Sequence, residues 1–323
     1  MSGCWLVAID VGGTGARLTA CRADGSGRYS TEGPRASVNA EGSAAGDSIR
    51  ALLADLAAAR PALREEGVLA CAGGVTGLVT LVGSAEPLHR LLRDMTGAEV
   101  TALAADFVTA HLAALRGAAG AVLSAGTGAV ALGTDFDSVW RRVDGWGHLI
   151  GDLGGGVWIG MAALRAAAAA LDGRASLGSP GLAERAVGRF GPVESWPVQL
   201  YTAGDRAGRM AAFADDVARL AAAGDAIAGA ILARAAELLA QTLNAALVPG
   251  ADGQAAYSGG LFRLGAVLVE PFEAAFRQLR PGVSLCPAAG SPLDGAMALA
   301  RRLADGDWGR PHEAALSIQR HQT

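Results

Sequence analysis

Two glycine-rich turns in the sequence are suited to binding phosphate. The segment SAGTG at 124–128 lies between two short apolar runs, and the segment VGGTG at 11–15 lies between two others. Each pattern predicts a strand, a tight turn and a second strand. Consecutive backbone N–H groups in such a turn bind phosphate oxygens. Because a single Gly-Thr-Gly turn is usually only a hairpin, the prediction depends on the presence of two.

A segment with carboxylates and a histidine follows the second turn one hairpin later. It reads DGWGHLIGD at 144–152 and leads into an apolar helix. We interpret the region as the place where a nucleotide phosphate meets an acceptor. Each residue also has a simpler interpretation. Asp152 is placed to cap a helix, Trp146 can pack in a core, and His148 can be a hydrogen-bonded structural histidine.

Two further aspartates end apolar runs in the first third of the chain. Asp10 ends the run that leads into the first turn, and Asp106 follows the run at 99–105 and opens a predicted helix. A carboxylate at such a position can accept the proton of an attacking hydroxyl group. An aspartate there is also a common helix N-cap, and position alone favours that role for Asp106, whereas the phosphate-binding turns favour the base role.

Composition removes several nucleotide-binding and catalytic classes. The chain of 323 residues has no lysine, because all 27 basic residues are arginine. A P-loop, a protein-kinase fold and a pyridoxal enzyme each need a lysine, so their usual forms are excluded. The net charge of −4 argues against a nucleic-acid-binding surface.

Cysteine usage and the N-terminus predict a cytoplasmic protein. The four cysteines stand singly, without the paired spacing of zinc or iron–sulfur sites. The first residues lack the basic region of a signal peptide. The uncharged stretch at 117–134 contains several glycines and hydroxyl groups, so we interpret it as two short strands and expect no membrane span.

The order of predicted elements indicates an α/β fold built from two similar halves. Each half opens with three successive β-segments, and the first two are joined by a Gly-Thr-Gly turn. Strands alternating with helices predict mixed sheets and a cleft between two domains. We expect domains at 1–117 and 118–291, a last helix at 292–304 that packs on the first domain, and an irregular polar tail at 305–323.

Four motifs resemble the superfamily of sugar kinases, actin and heat-shock chaperones. They are two phosphate motifs, VAIDVGGTG at 7–15 and LSAGTG at 123–128, an adenosine motif, AYSGGL at 256–261, and GWGHLIGD at 145–152. The last is similar to a segment of N-acetylglucosamine kinases, in a group that also holds the ATPase activators of acyl-CoA dehydratases. The resemblance implies a two-domain, ribonuclease H-like (actin-like ATPase) fold with a central interdomain cleft.

The resemblance also implies roles for individual residues. Asp106 corresponds to the catalytic base, and Asp10 to the aspartate that orients magnesium through water. The implied sugar-binding residues are Asn39, Asp106, Gly145, Trp146, Gly147 and Asp152. The implied nucleotide-binding residues are Gly12, Gly13, Thr14, Ser124, Gly126, Thr127, Gly128, Ser258, Gly259 and Gly260. One position departs from the family, which often has an acidic residue where this chain has Leu153.

The implied activity is the ATP-dependent, magnesium-dependent phosphorylation of an amino sugar. The expected acceptor is the 6-OH of N-acetylglucosamine or a relative such as glucosamine. Two alternatives stay open: an ATPase of the dehydratase-activator type that is coupled to a partner protein, and a non-catalytic sugar sensor. The missing iron–sulfur cysteines count against the first, and Asp106 counts against the second. The oligomeric state, including a homodimer, is left open.

Overall fold

The computed structural model describes residues 3–13, 15–34, 38–39, 42–43, 45–79, 84–308, 312 and 315–321, with the backbone alone at 38–39 and 42–43. The chain divides into two compact units. Unit 1 comprises Met1–Ala119, Thr134–Trp140 and Pro287–Thr323. Unit 2 comprises Gly120–Gly133 and Arg141–Cys286.

The strands and helices of the described residues alternate along the chain. The strands are β1 (Trp5–Val11), β2 (Ala16–Arg22), β3 (Tyr29–Gly33), β4 (Val38–Asn39), β5 (Gly42–Ser43), β6 (Val68–Val75), β7 (Val100–Ala105), β8 (Gly120–Ala125), β9 (Ala129–Thr134), β10 (Trp140–Asp144), β11 (Gln254–Ser258), β12 (Ser284–Pro287) and β13 (Leu316–Arg320). The α-helices are α1 (Ala45–Ala59), α2 (Leu63–Glu66), α3 (Glu86–Thr96), α4 (Asp106–Ala114), α5 (Gly156–Leu171), α6 (Pro180–Phe190), α7 (Trp196–Thr202), α8 (Arg206–Ala211), α9 (Ala214–Ala222), α10 (Ala226–Ala246), α11 (Ala266–Leu279) and α12 (Pro292–Ala304). Two short 3-10 helices span Val193–Ser195 and Gly260–Leu264.

Unit 1 is built on a six-stranded mixed sheet with the order β13-β7-β6-β1-β2-β3. The strands β1, β6 and β7 are parallel neighbours, and β2 and β13 are antiparallel to theirs. Every residue of β1 and β7 is buried, which explains why both strands are apolar apart from Asp10 and Thr101. Because parallel strands end at the same edge of a sheet, residues that follow β1, β6 and β7 lie near one another.

Two pairs of helices cover this sheet. Helix α1 packs with α3, and its apolar residues recur at the helical period along one buried face. Helix α12 packs with α4 and against β1. The contact between α12 and α4 requires glycine, because a Cβ at Gly295 would collide with the carbonyl group of Thr109.

The predicted irregular tail is wrong at residues 316–320. These residues form β13, which pairs antiparallel with β7 at the edge of the sheet. Its first residue, Leu316, is buried, whereas the other four are only partly buried or exposed. A five-residue strand with one buried residue has little hydrophobic pattern, so its pairing with a buried neighbour determines it more than its own sequence does.

Unit 2 contains a five-stranded sheet with the order β10-β9-β8-β11-β12. Strands β8 and β11 run parallel, with Ser124 opposite Ser258 at their ends. The three successive strands that open each half, β1–β3 and β8–β10, confirm the prediction of a repeated opening.

The long helix α10 lies in the middle of unit 2, where it packs against α5, α9, α11 and β8. Its 21 residues are long and apolar enough to span a membrane by length and composition, and half of its most apolar stretch is buried in the protein. A core helix of a globular protein has the same two properties, and the packing of α10 is that of a core helix.

Candidate active site

The register of the sheet brings Asp10 and Asp106 to one edge of unit 1. Asp10 lies opposite Gly74 of β6, and Val75 of β6 lies opposite Ala105, the residue before Asp106. Asp10 is almost fully buried, with 9% of its surface exposed. Two carboxylates predicted from separate parts of the sequence are therefore close enough to interact.

Burial is the main cause of an unusual protonation equilibrium at Asp10. Burial first, and then the negative charge of Asp106, raise the pKa of Asp10 from 3.8 to about 6. The opposing influence comes from Arg17, its cross-strand neighbour on β2. A bound cation would stabilise the charged form of this pair. The edge of the sheet therefore has the electrostatic character of a cation site.

Thr76 is a functional candidate that the sequence patterns did not single out. It follows β6 directly, and its Oγ1 donates a hydrogen bond of 2.7 Å to Oδ2 of Asp106. Its own N–H donates to the carbonyl oxygen of Val11 at 2.9 Å, which ties it to the start of the first glycine turn. A polar residue directly after a buried strand was the available signal, but the parallel register is what places it beside Asp106.

Asp106 is the first residue of α4 rather than its N-cap. The N-cap position belongs to Ala105, and no side chain caps there. The other oxygen of Asp106, Oδ1, accepts the N–H of Phe107 at 2.9 Å. The Asp106 carboxylate is thus held on one oxygen by a hydroxyl group and on the other by the first turn of the helix.

The first glycine turn leaves open space beside its backbone. The N–H of Gly12 donates to the carbonyl oxygen of Gly15 at 2.9 Å, which closes the turn. Apart from its chain neighbours, no atom of the described residues lies within 4 Å of the position that a Cβ would take at Gly13, and the φ of Gly13 is not in the left-handed region. Thr14 lies outside the described residues.

The second glycine turn is supported by the start of a helix. The N–H of Gly126 donates to the carbonyl oxygen of Gly128 at 2.8 Å. The first residues of α5, Gly156 and Val157, donate their N–H groups at 2.9 Å to the carbonyl oxygens of Gly126 and Thr127. A Cβ added at Gly126, as at Gly13, would have only its chain neighbours within 4 Å among the residues that the structure describes.

The predicted adenosine motif lies beside the second turn in unit 2. Gly259 has a φ of +107°, and a Cβ there would collide with the backbone of Ala125, so this position requires glycine. A Cβ at Gly260 would lie 2.9 Å from the guanidinium of Arg263. The Oγ of Ser124 is buried and, among the described residues, has no hydrogen-bond partner. A buried hydroxyl of this kind is available to hydrogen-bond a phosphate or a water.

The predicted sugar segment is a tight loop with several residues in the left-handed region. They are Asp144, Gly145, Gly147 and Asp152, with φ values of 62°, 75°, 86° and 57°. Trp146 is 59% exposed, which excludes the core-packing interpretation. The guanidinium of Arg142 lies 4.4 Å from the centre of its ring. The backbone of Asn39 lies in β4, and its side chain is outside what the structure describes.

Asp152 lies directly on the second glycine turn. Its carboxylate occupies the space that a Cβ of Gly128 would need. Burial first, and then the charge of Asp144, raise the pKa of Asp152, while N–H groups of Ala129 and Gly147 and the nearby His148 act in the opposite direction. It is not the cap of α5, because Gly155 holds that position and no side chain caps there.

A family model for the BadF/BadG/BcrA/BcrD ATPase family matches residues 7–277, a span that contains all three predicted nucleotide motifs. The chain belongs to this ATPase family. A comparison with curated protein sequences found no match to the chain.

Solved structures agree with this membership. A candidate N-acetylglucosamine kinase from Chromobacterium violaceum is 26% identical, with a TM-score of 0.72 over 93% of this chain and 100% of that one. A candidate N-acetylglucosamine kinase from Porphyromonas gingivalis is 15% identical, with a TM-score of 0.69 over 93% and 99%. A ROK family glucokinase from Streptomyces griseus, solved with glucose and AMPPNP, is 16% identical, with a TM-score of 0.57 over 94% and 99%.

These comparisons confirm the predicted resemblance, the actin-like fold and the enzyme class, a kinase of the sugar-kinase group. Membership in an ATPase family also supports the use of ATP.

The described residues of this family member fit a nucleotide and a magnesium ion. Magnesium is usually held by one or two carboxylates and by substrate phosphates, with several waters. The pair Asp10 and Asp106 has that character, and no cluster of three or more His, Cys, Asp or Glu occurs in the part of the chain that the structure describes. For the nucleotide, the open backbone at Gly13 and Gly126 and the orphaned Ser124 hydroxyl are compatible with phosphate.

Proposed function

We propose that the protein transfers the γ-phosphoryl group of ATP to the 6-OH of an amino sugar, N-acetylglucosamine or a relative such as glucosamine. The observation that carries the proposal is the cluster of polar side chains at the strand ends of unit 1. There the hydroxyl of Thr76 donates to the carboxylate of Asp106, and the charge of Asp106 raises the pKa of Asp10. The likeness to the Chromobacterium violaceum protein supports the choice of an amino sugar.

Asp106 acts as the general base. The hydrogen bonds from Thr76 and Phe107 hold its carboxylate in one orientation, so that an oxygen can accept the proton of the sugar hydroxyl as that hydroxyl attacks the γ-phosphorus. Phosphoryl transfer depends mostly on positioning and on electrostatic stabilisation. A carboxylate with a fixed orientation is therefore an appropriate base for this reaction.

The two glycine turns bind the phosphates of ATP. Their backbones are open at Gly13 and Gly126, so phosphate oxygens can approach the N–H groups closely. Bound magnesium, oriented through water by Asp10, would neutralise phosphate charge. Ser258, Gly259 and Gly260 hold the adenosine, and the segment that contains Gly145, Trp146, Gly147 and Asp152 binds the sugar together with Asn39.

A panel of sugars tests the proposal. The protein is incubated with ATP, magnesium and one sugar at a time, and both ADP and sugar phosphate are measured. The proposal expects stoichiometric ADP and sugar phosphate with at least one amino sugar. Asp135→Asn serves as a control variant, because it alters an aspartate that organises a loop at 135–139 in unit 1. It should form both products as the wild type does.

The same assay distinguishes the second candidate function. The family match favours an ATPase as that candidate, since the family is named for ATPase activity. ADP formed at the same rate with and without sugar would support an ATPase coupled to a partner protein. Sugar binding without any ADP would support a sugar sensor. Either result would contradict the proposed kinase activity.

A further inference from the structure

We infer that Asp144 is a positioning residue, which folds the sugar segment into its loop and holds Asp152 on the second glycine turn. The inference rests on the proposed function, since that function makes this segment the sugar-binding one. Asp144 ends β10 and stands eight residues before Asp152.

The carboxylate of Asp144 closes the loop with two hydrogen bonds. Its Oδ1 accepts the backbone N–H of Asp152 at 2.7 Å, and its Oδ2 accepts the backbone N–H of Leu153 at 2.9 Å. Both oxygens therefore bind the far end of the segment that Asp144 itself begins. The packing around this closure is tight, because a Cβ at Gly151 would meet Asp144 and would lie 2.9 Å from the Cβ of Trp146.

The near end of the loop is fixed as well. Asp144 has a φ of 62°, which aspartate and asparagine tolerate better than most residues. Arg142 donates from Nε to the carbonyl oxygen of Asp144 at 3.1 Å, and from Nη2 to the carbonyl oxygen of Gly145. The Arg142 guanidinium also covers the ring of Trp146. Arg142 thus holds the backbone from which the Asp144 side chain starts.

This closure determines where the Asp152 carboxylate lies. Asp152 has a φ of 57°, and from that backbone position its carboxylate lies against Gly128 of the second turn. The N–H groups of Ala129 and Gly147 complete its surroundings. A shift of the backbone at Asp152 would move its carboxylate away from the place at which it is proposed to bind the sugar, which would weaken sugar binding.

The same arrangement gives Leu153 a role that does not depend on its side chain. The side chain is 42% exposed, while its backbone N–H is one of the two donors to Asp144. A substitution at Leu153 that keeps the backbone N–H therefore leaves the closure intact. Leu153→Ala is the variant that separates the loss of the side chain from the loss of the hydrogen bond.

The test compares Asp144→Asn and Asp144→Gly with Leu153→Ala and Asp135→Asn in the full-length protein. Asparagine keeps the backbone conformation but replaces one acceptor oxygen with an amide that donates, and glycine removes both acceptors. Asp135 is the matched control, because its carboxylate also accepts backbone N–H groups of its own loop, those of Asp137, Ser138 and Val139.

The expected result is a change in the KM for the sugar and little change in the KM for ATP. In both Asp144 variants the KM for the sugar rises about tenfold to a hundredfold, the size of a lost charge-assisted hydrogen bond. The KM for ATP stays within about twofold in the same variants, because the backbone bonds that hold the second turn are kept. Leu153→Ala and Asp135→Asn keep the wild-type KM for both substrates. Equal effects of Asp144→Asn and Asp135→Asn on the sugar KM would overturn the inference.

Hydrogen exchange separates this inference from the proposed function. Peptides that contain the N–H groups of Asp152 and Leu153 should exchange faster in Asp144→Asn than in the wild type or in Asp135→Asn, whether or not any sugar is phosphorylated. Unchanged exchange would overturn the positioning role even in an active kinase. A wild-type protein that phosphorylates no sugar would instead contradict the proposed function, while faster exchange in the variant would still support the closure.

Discussion

Each unit pairs a glycine turn with a buried or half-buried carboxylate that has a second carboxylate beside it. In unit 1 the pair is Asp10 with Asp106, and in unit 2 it is Asp152 with Asp144. Burial and the neighbouring charge raise the pKa of the first member in both pairs. The second members differ. Asp106 accepts a threonine hydroxyl and the N–H of the next residue, whereas Asp144 accepts N–H groups eight and nine residues away.

This difference shows that similar carboxylate pairs can be built for different tasks. The hydrogen bonds from Thr76 and Phe107 hold the Asp106 carboxylate at the end of β7, as the proposed base role requires. The two oxygens of Asp144 close a loop, which leaves contact with the sugar to the residue that the loop positions. The comparison therefore supports the proposed base role of Asp106 and the inferred positioning role of Asp144.

The supports of the two turns differ as well. Unit 1 uses a strand neighbour, the N–H of Thr76, next to its turn. Unit 2 uses the first N–H groups of α5, those of Gly156 and Val157. A helix start can stabilise negative charge as well as a turn, so the second turn has an additional source of positive potential.

The largest effect is expected from removing the proposed base of unit 1, Asp106. We expect Asp106→Asn to lower kcat by about two to four orders of magnitude, the usual value of general-base catalysis, with ATP binding retained. Sugar-dependent ADP release and nucleotide titration measure the two quantities. A folded Asp106→Asn protein with near-normal turnover would remove Asp106 from the base role.

The next effect concerns the hydroxyl that orients this base. Thr76→Val keeps the side-chain shape but removes the donor to Asp106, and we expect kcat to fall about tenfold to a hundredfold, as for a hydrogen bond to a charged group. The KM for the sugar should change little. Thr76→Ser restores the hydroxyl and should recover most of the rate. If serine and valine behave alike, the hydroxyl has no positioning role.

Individual residues show which assignments are readable from the sequence and which are not. The glycine turns and Asp106 are predictable because each has a local pattern, a polar or glycine residue directly after an apolar strand. Thr76 is not, because its partner is 30 residues away, and only the register of β6 against β7 brings the two together. Strand β13 escapes prediction for the same reason, since its pairing with β7 is not encoded in its own five residues.

The glycine turns give the third prediction. Gly13→Ala and Gly126→Ala should fold normally, because in the described part of the chain only sequence neighbours lie within 4 Å of either Cβ, and neither φ is left-handed. Each should raise the KM for ATP about tenfold, the effect of weakening one N–H bond to a charged phosphate. Gly259→Ala is the contrasting variant, since it should lose stability in a thermal melt. Unchanged ATP affinity in both turn variants would make the turns structural only.

The smallest expected effect is on stability at Asp10. Its pKa of about 6 exceeds the unfolded value of 3.8, so the folded state binds the proton more tightly and loses stability as the pH rises from about 4 to 6. A shift of about two pKa units lowers the free energy of unfolding by about 3 kcal/mol above pH 6. Asp10→Asn removes this loss, because asparagine carries no charge. We therefore expect Asp10→Asn to raise Tm by about 5 °C at pH 7.5 and to lose most of that gain at pH 4.

Thermal melts in the absence of nucleotide and metal check this prediction, with the exposed Asp252→Asn as the control. The Asp10 variant should also lose kinase activity, because the residue proposed to orient magnesium is gone. A lower Tm for Asp10→Asn at pH 7.5, or a gain that does not depend on pH, would contradict the assigned electrostatics.

The most direct test of the central claim is the identity of the product made from ATP, magnesium and N-acetylglucosamine. Nuclear magnetic resonance of the purified sugar product locates the phosphate, and ADP is quantified in the same sample. The account predicts a 6-phosphate, one ADP for each sugar phosphate, and no product with Asp106→Asn on the same timescale. ADP without a phosphorylated sugar, across glucosamine and N-acetylglucosamine alike, would contradict it.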